Sequence, residues 1–204
     1  AERQDPASAI SAGRGTGERG SPDRVSINGP WAWLQRAGDV RFRVVNARVR
    51  VPGWRVPGYR IAFVTDLHLR RRWEPVLDPM LDVLRRERAE LVVFGGDWVE
   101  DKKDHRPALP FVRRLIDELA RLAPDGVWSV TGNHDGPSLG RTLAGSPVRW
   151  LMGRREAVAV RGGAGVVELI GLAVHKASRV DPGVWQQPGK PPGALRVVVT
   201  HFPH

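Results

Sequence analysis

Cysteine is absent from the 204-residue chain, and no apolar run approaches the length that crosses a bilayer. The first absence excludes disulfides and thiolate metal sites but does not identify a compartment. The second argues against a transmembrane helix within this sequence, and there is no signal-like apolar core near the start. Because the chain begins with Ala1 and not Met, a leading segment can still have been removed. The sequence therefore leaves the localisation open between cytoplasmic and membrane-associated.

Acidic residues are few relative to basic ones: 22 Asp and Glu stand against 32 Lys and Arg, a formal net charge of +10. Such a charge attracts nucleic acid, anionic lipid or a phosphorylated substrate. However, 28 of the 32 basic residues are Arg, spread along the chain, and the densest run is only Arg70–Arg72. This pattern favours a compositional bias, and we expect no specific nucleic-acid partner. Association with a membrane surface stays an alternative.

Apolar residues are scarce at the start of the chain and frequent afterwards. Residues 1–30 are rich in Gly, Ser, Arg and acidic residues, and cannot bury enough surface to offset the entropy of ordering them. We predict a disordered segment there and one folded domain over residues 31–204. The aromatic cluster Trp31–Leu34 docks either on this domain or on a membrane surface.

Apolar periodicity predicts an α/β protein. The alternation over Val40–Val51 predicts one strand with a bulge or two short strands, and Asp78-Pro79 predicts the N-cap and first position of a helix ending near Arg88. Further strands are predicted at 61–64, 91–94, 126–130, 148–151, 157–161, 166–172 and 195–199, further helices at 109–122 and within 137–144, a hairpin turn at 162–165 and a long loop at 176–193. Strand–helix alternation followed by strands predicts a layered α/β fold with mixed β-sheets flanked by helices.

Four of these apolar strands end in residues that can bind metals. Asp66 and His68 follow the first, and in an extended backbone side chains two residues apart point to the same side. Carboxylates and imidazoles are ligands for divalent first-row metals. Because active sites in open α/β sheets form beyond the carboxyl ends of the strands, we expect all four ends to lie in one sheet and to converge. The other strand-end residues are Asp97, then Asn133, His134 and Asp135, then His201.

The same residues lie in an ordered set of motifs: Asp66-x-His68, Gly96-Asp97, Gly132-Asn-His-Asp135 and Thr200-His201-x-Pro203. This set resembles the calcineurin-like metallophosphoesterase superfamily, over about Val40 to His204. The stretches 58–69 and 90–97 are most similar to its bacterial, often membrane-associated phosphodiesterase branch. The resemblance implies a layered metallophosphoesterase-like fold and a metal-dependent hydrolase that acts on phosphodiesters.

The resemblance also implies a centre of two divalent metal ions. Asp66 and His68 would bind the first ion, Asp97 would bridge both, and Asn133 and His201 would bind the second. Activation of water by two metal ions requires residues of these types, independently of the resemblance. A bridging carboxylate holds two cations about 3.5–4 Å apart, and together they yield hydroxide from a shared water near neutral pH. The ligand types suit Mn, Fe, Zn or Co.

The implied catalytic residues are His134 and Asp135. His134 would contact the substrate phosphate and protonate the leaving oxygen, and Asp135 would orient it. Alternatives are a buried hydrogen-bonded pair for these two residues and a core position for His201. The basic stretch Arg70–Arg72 follows the first ligands and either holds substrate phosphate or forms a solvated loop.

The sequence departs from the family pattern at its end. The family supplies two further histidines from a Gly-His-x-His motif, one for each metal, and this chain ends at His204 before any such motif. We therefore expect a C-terminally truncated fragment of a longer enzyme, although His204 with His201 could recruit a metal. Two other hypotheses are an inactive fragment and a non-catalytic basic module that binds nucleic acid or anionic lipid. Nucleotide, sugar-nucleotide, lipid-head-group and protein phosphates all fit the implied chemistry.

Overall fold

The structure is a computed structural model that describes residues 42, 44–136, 138–151, 153–172 and 193–201. The predictions for residues 1–30, for the cluster Trp31–Leu34, for His204 and for nearly all of the 176–193 loop lie outside these residues. None of the helices in the described ranges is long and apolar enough to cross a membrane.

Four short strands form a parallel sheet. They are β1 (Ile61–Val64), β2 (Leu91–Phe94), β3 (Val127–Ser129) and β4 (Val148–Trp150), hydrogen-bonded in that order. All four residues of β2 are buried, which explains why β2 is apolar throughout, as is typical of a central parallel strand covered on both faces. The carboxyl ends of β1, β2 and β3 therefore lie side by side at one edge, as the sequence predicted.

Helices α1 (Leu77–Glu87), α2 (Leu109–Leu122) and α3 (Leu139–Thr142) connect these strands. The apolar residues of α1 and α2 recur at helical spacing and are buried against one face of the sheet. They are Leu77, Met80, Leu81 and Leu84 in α1, and Val112, Leu115, Ile116 and Leu119 in α2. The predicted bounds of α2 are confirmed.

The start of α1 was predicted wrongly. The helix begins at Leu77, whose backbone N–H donates to the carbonyl of Glu74, and Asp78 lies inside the first turn. There the Asp78 carboxylate accepts a hydrogen bond from Nε1 of Trp73 and complements the positive end of the helix dipole. Sequence reasoning placed the cap two residues late because Pro79 is also tolerated within the first turn.

A second sheet contains β5 (Arg155–Val160), β6 (Gly165–Gly171) and β7 (Leu195–Val199). β5 and β6 form an antiparallel hairpin through a short 3₁₀ turn at Arg161–Gly163, which confirms the predicted turn, and β7 pairs with β6 in parallel. The expectation that all four ligand-bearing strands share one sheet is therefore wrong, because β7 lies in the second sheet. The alternation that predicted strands over Val40–Val51 also failed: described residues 42 and 44–51 belong to no strand, and Val45 and Val49 are exposed.

The two sheets pack face to face over a shared apolar core. Leu91, Val93, Trp128 and Val130 meet Val158, Val160, Val167, Leu169 and Val199 there. The helices cover the other face of the parallel sheet, so the molecule has a helix layer, a parallel sheet and a mixed sheet. This confirms the predicted layered α/β architecture.

Glu168 is a buried acid, 2% exposed, on the central strand of the second sheet. Its carboxylate accepts hydrogen bonds from Arg155 on one neighbouring strand and from Arg196 on the other. Burial alone would raise the pKa of Glu168, but the hydrogen bonds from Arg196 and Arg155 outweigh it and hold this pKa below its ordinary value of 4.5.

We expect Glu168→Gln to lower the free energy of unfolding by about 3 kcal/mol at pH 7, because two partly buried guanidinium groups lose their counter-charge. A depressed carboxyl pKa contributes stability that is present above pH 4.5 and is lost as the pH falls through the folded-state pKa. Denaturant titrations at pH 7 and pH 3 should therefore show a smaller acid-induced loss in the variant than in the parent. Asp82→Asn, which removes an exposed partner of Arg85, is the control and should change neither value measurably. An equal acid response in Glu168→Gln and the parent would contradict this account.

Candidate metal centre

The loops after β1 and β2 run together beyond the strand ends. The backbone N–H of Asp66 donates to the carbonyl of Gly96 at 3.1 Å, and that of His68 donates to the carbonyl of Asp97 at 3.0 Å. A bridge between Leu69 and Val99 continues this pairing. The backbone thus carries the acidic and imidazole side chains of both loops to one place.

Three of the predicted ligands have strained backbones. Asp66, His68 and Asp97 have φ angles of 59°, 48° and 58°, in the left-handed region that non-glycine residues rarely adopt. The alternation argument for Asp66 and His68 assumed an extended backbone, so its premise was wrong. Their side chains nevertheless face each other, with His68 Nε2 3.8 Å from Asp66 Oδ1. Non-glycine residues held in this conformation are concentrated at functional sites.

Close backbone approach explains the two glycines beside the predicted ligands. A Cβ at Gly96, where φ is 101°, would lie 2.4 Å from the backbone nitrogen of Gly132. A Cβ at Gly132 would lie 2.0 Å from Oδ1 of Asp97. Any side chain at either position would therefore displace the Asp97 carboxylate or separate the two loops.

The carboxylate of Asp97 lies between two imidazoles. Its Oδ2 is 3.5 Å from Nε2 of His68 and 3.3 Å from Nε2 of His201, while the residue itself is only 3% exposed. His201 approaches from the end of β7, so the second sheet does contribute to the site despite its separate pairing. Asn133 completes this side, with its Oδ1 3.1 Å from Nε2 of His201.

The donor set fits divalent cations. Nδ1 of His201 lies 2.9 Å from the carbonyl of Gly95, which can only accept, so Nδ1 carries the proton. In the neutral ring, Nε2 then faces the oxygens of Asp97 and Asn133, and three acceptors converge without a donor among them. Ligand atoms that share one metal at about 2.0–2.2 Å lie about 3–4 Å apart. The distances of 3.1–3.8 Å across both halves of the site match that requirement.

His134 lies beside this centre with one ring nitrogen fixed. Its backbone N–H donates to Oδ1 of Asp97 at 2.8 Å, and its Nδ1 donates to the carbonyl of Glu100 at 2.7 Å. Its ring packs edge-on against that of His68, with 4.8 Å between the centroids. Nε2 is therefore the nitrogen left to exchange a proton with a ligand.

Asp135 is fully buried and binds backbone rather than the His134 ring. Its carboxylate accepts four backbone N–H groups, from Asp97 at 2.8 Å, Trp98 at 2.7 Å, Val99 at 3.3 Å and Gly132 at 2.8 Å. Burial raises the pKa of Asp135, and the four N–H groups oppose that rise. The residue thus ties the loop after β2 to the loop after β3.

The family model for the calcineurin-like phosphoesterases matches residues 59–203, well over half of the chain. The chain belongs to that family. A comparison with curated proteins found no match. The predicted family is thereby confirmed, and membership supports a metal-dependent hydrolase of phosphoric esters. Among the described residues of this calcineurin-like phosphoesterase, two groups of acidic and histidine residues could hold a metal ion: Asp66, His68 and Asp97, and His68, Glu100 and His134.

Sequence reasoning missed Glu100. Its Oε2 lies 3.1 Å from Nδ1 of His68, close enough for an ion pair although not aligned for a hydrogen bond, and 3.9 Å from a guanidinium nitrogen of Arg70. Its carbonyl holds His134. In the sequence, Glu100 reads as the start of an acidic surface run. The available signal was its position three residues after Asp97, in a segment that pairs with the loop carrying His68.

Proposed function

We propose that this calcineurin-like phosphoesterase hydrolyses phosphodiesters and that its site binds two divalent cations. The observation that carries the proposal is the position of Asp97, whose Oδ2 faces an imidazole nitrogen from each of two loops at 3.5 and 3.3 Å. One carboxylate placed between two such nitrogens suits the bridging role.

Each half of the site offers its own ligands. Asp66 and His68 would hold one cation with Asp97, and Asn133 and His201 would hold the other. The mix of carboxylate, amide and imidazole suits Mn, Fe, Zn or Co. Bound cations would lower the pKa of a shared water and offset charge that develops on the phosphoryl oxygens.

His134 would supply the proton for the leaving oxygen. Its Nδ1–H is committed to the carbonyl of Glu100, so the ring presents Nε2 to the ligand in a fixed orientation. Its backbone N–H is bonded to Asp97, which keeps the imidazole beside the proposed bridging carboxylate. A fixed imidazole next to the reacting phosphate is the geometry that general-acid catalysis needs. Asp135 would act as a positioning residue, since it contacts the backbone of both loops.

The direct test is hydrolysis of bis(p-nitrophenyl) phosphate by the purified chain with added Mn²⁺. We expect p-nitrophenolate release that increases with Mn²⁺ concentration, stops when EDTA is added and returns when Mn²⁺ is restored. Equal rates with Mn²⁺ and with EDTA would overturn the proposal.

A change of His134 separates catalysis from metal binding. We expect His134→Gln to lower kcat by about a hundredfold, because general-acid catalysis contributes at least that factor in typical enzymes. Mn²⁺ affinity, measured by calorimetry, should stay within about twofold, because none of the proposed ligands is removed. His68→Gln is the matched comparison and should weaken Mn²⁺ binding as well as turnover. A full rate in His134→Gln would exclude this residue as the acid.

A further inference from the structure

A cavity of about 450 Å³ opens beside the metal centre. Its buried floor is apolar and is formed by Leu69, Val99 and Ala108. Exposed charged residues, among them Arg70–Arg72 and Asp101, line its mouth. This volume lies in the range of small-molecule sites, about 300–1,000 Å³, and an apolar floor with few polar groups is typical of them.

The cavity shares residues with the proposed active site. Leu69 directly follows His68, and Glu100 forms part of the cavity wall while lying 3.1 Å from Nδ1 of His68. The carbonyl of the same Glu100 accepts the Nδ1–H of His134. A phosphate ester held at the metal centre would therefore have this cavity immediately beside it.

The charges at the mouth are partly neutralised by neighbours. Arg72 pairs with Glu74 at 3.2 Å, and Arg70 lies 3.9 Å from Glu100. Recognition inside the cavity therefore depends more on the apolar floor than on a net positive charge.

We propose that the cavity holds the organic substituent of the phosphate ester, with an apolar ring or chain on Leu69, Val99 and Ala108. The substrates would then be esters of ring-bearing or similarly bulky organic groups. This proposal rests on the proposed function, because the phosphate must lie at the metal centre for its substituent to reach the cavity.

Binding of non-hydrolysable phosphonates tests the proposal independently of turnover. In calorimetry with Mn²⁺, phenylphosphonate should bind at least about tenfold more tightly than methylphosphonate, as burial of an aromatic ring predicts. Equal affinity for the methyl and phenyl probes, or no binding of either, overturns the cavity assignment, whereas the proposed function fails only if metal-dependent hydrolysis is absent.

One variant and a matched control locate the binding. Ala108→Leu should fill the floor and remove the preference for phenyl over methyl. Ala144→Leu makes the same change at an exposed position outside the cavity and should leave both affinities unchanged. If Ala108→Leu does not fold, amide NMR of the parent decides, with Zn²⁺ in place of paramagnetic Mn²⁺: phenylphosphonate should shift Ala108 and methylphosphonate should not, and an unshifted Ala108 overturns the proposal.

Discussion

Asp97→Asn is expected to abolish metal-dependent hydrolysis and to weaken Mn²⁺ binding by at least about a hundredfold. Loss of an outer partner of a ligand already costs 10- to 100-fold in metal affinity or activity, and Asp97 is proposed as a direct ligand of both cations. Asparagine keeps Oδ1 and with it the acceptor for the backbone N–H of His134, so the loop geometry should survive. The lost quantity is the charge on the oxygen that faces His68 and His201.

Calorimetric Mn²⁺ titration and the chromogenic assay measure the two effects, and denaturant unfolding shows whether the variant is folded. Asp117→Asn is the matched control, because it removes the same charge from an exposed position of α2, away from the strand ends. It should change neither affinity nor rate. Mn²⁺ binding by Asp97→Asn at the parent affinity would exclude Asp97 as a bridging ligand.

The helices and strands that position the centre were predictable because their apolar periods are clear. The residues of β2 are apolar throughout and those of α2 repeat at helical spacing, and both elements form where the sequence placed them. The segment 40–51 alternates like a strand but has no partner strand in the described residues. Apolar alternation does not determine whether a neighbouring strand is available for pairing. Pairing is a tertiary property, and for the same reason β7 was assigned to the wrong sheet.

The sequence was enough to predict which residues come together at the site, but not which contacts they make there. Asp66, His68, Asp97, Asn133 and His201 do converge, because three loops at one sheet edge meet the end of β7. The left-handed backbone of the two acids and of His68 follows from loop pairing, which sequence spacing does not encode.

The partners of the two proposed catalytic residues also depend on the fold. The sequence paired Asp135 with the ring of its neighbour His134. In the structure Asp135 binds backbone N–H groups, and the ring nitrogen is held by the carbonyl of Glu100. Every non-proline residue has a backbone N–H and every residue a backbone carbonyl, so the sequence does not indicate which of them will bind Asp135 or His134.

Asp135→Ala is expected to lower the free energy of unfolding by about 4 kcal/mol. The variant should also bind Mn²⁺ more weakly than the parent does. The substitution leaves four backbone N–H groups without their acceptor at a buried site, and each orphaned buried donor costs about 1–3 kcal/mol before relaxation or entering water reduces the sum. Two of these donors belong to Asp97 and Gly132, so the loops that carry the proposed ligands would separate. Denaturant unfolding and calorimetry measure the two losses.

Asp101→Ala is the matched control, since the Asp101 carboxylate also accepts two backbone N–H groups, at 2.8 and 3.2 Å, but from an exposed position. Water can replace an exposed acceptor, so the free energy of unfolding of this variant should lie close to that of the parent. Asp135→Asn adds a second comparison, because it keeps one acceptor oxygen while its NH₂ group faces backbone donors; its stability should lie between that of the parent and that of Asp135→Ala. If Asp135→Ala were no less stable than Asp101→Ala, the four buried hydrogen bonds would not be what holds the two ligand loops together. The conformation of Asp97 would then depend on the close contact between Gly96 and Gly132 instead.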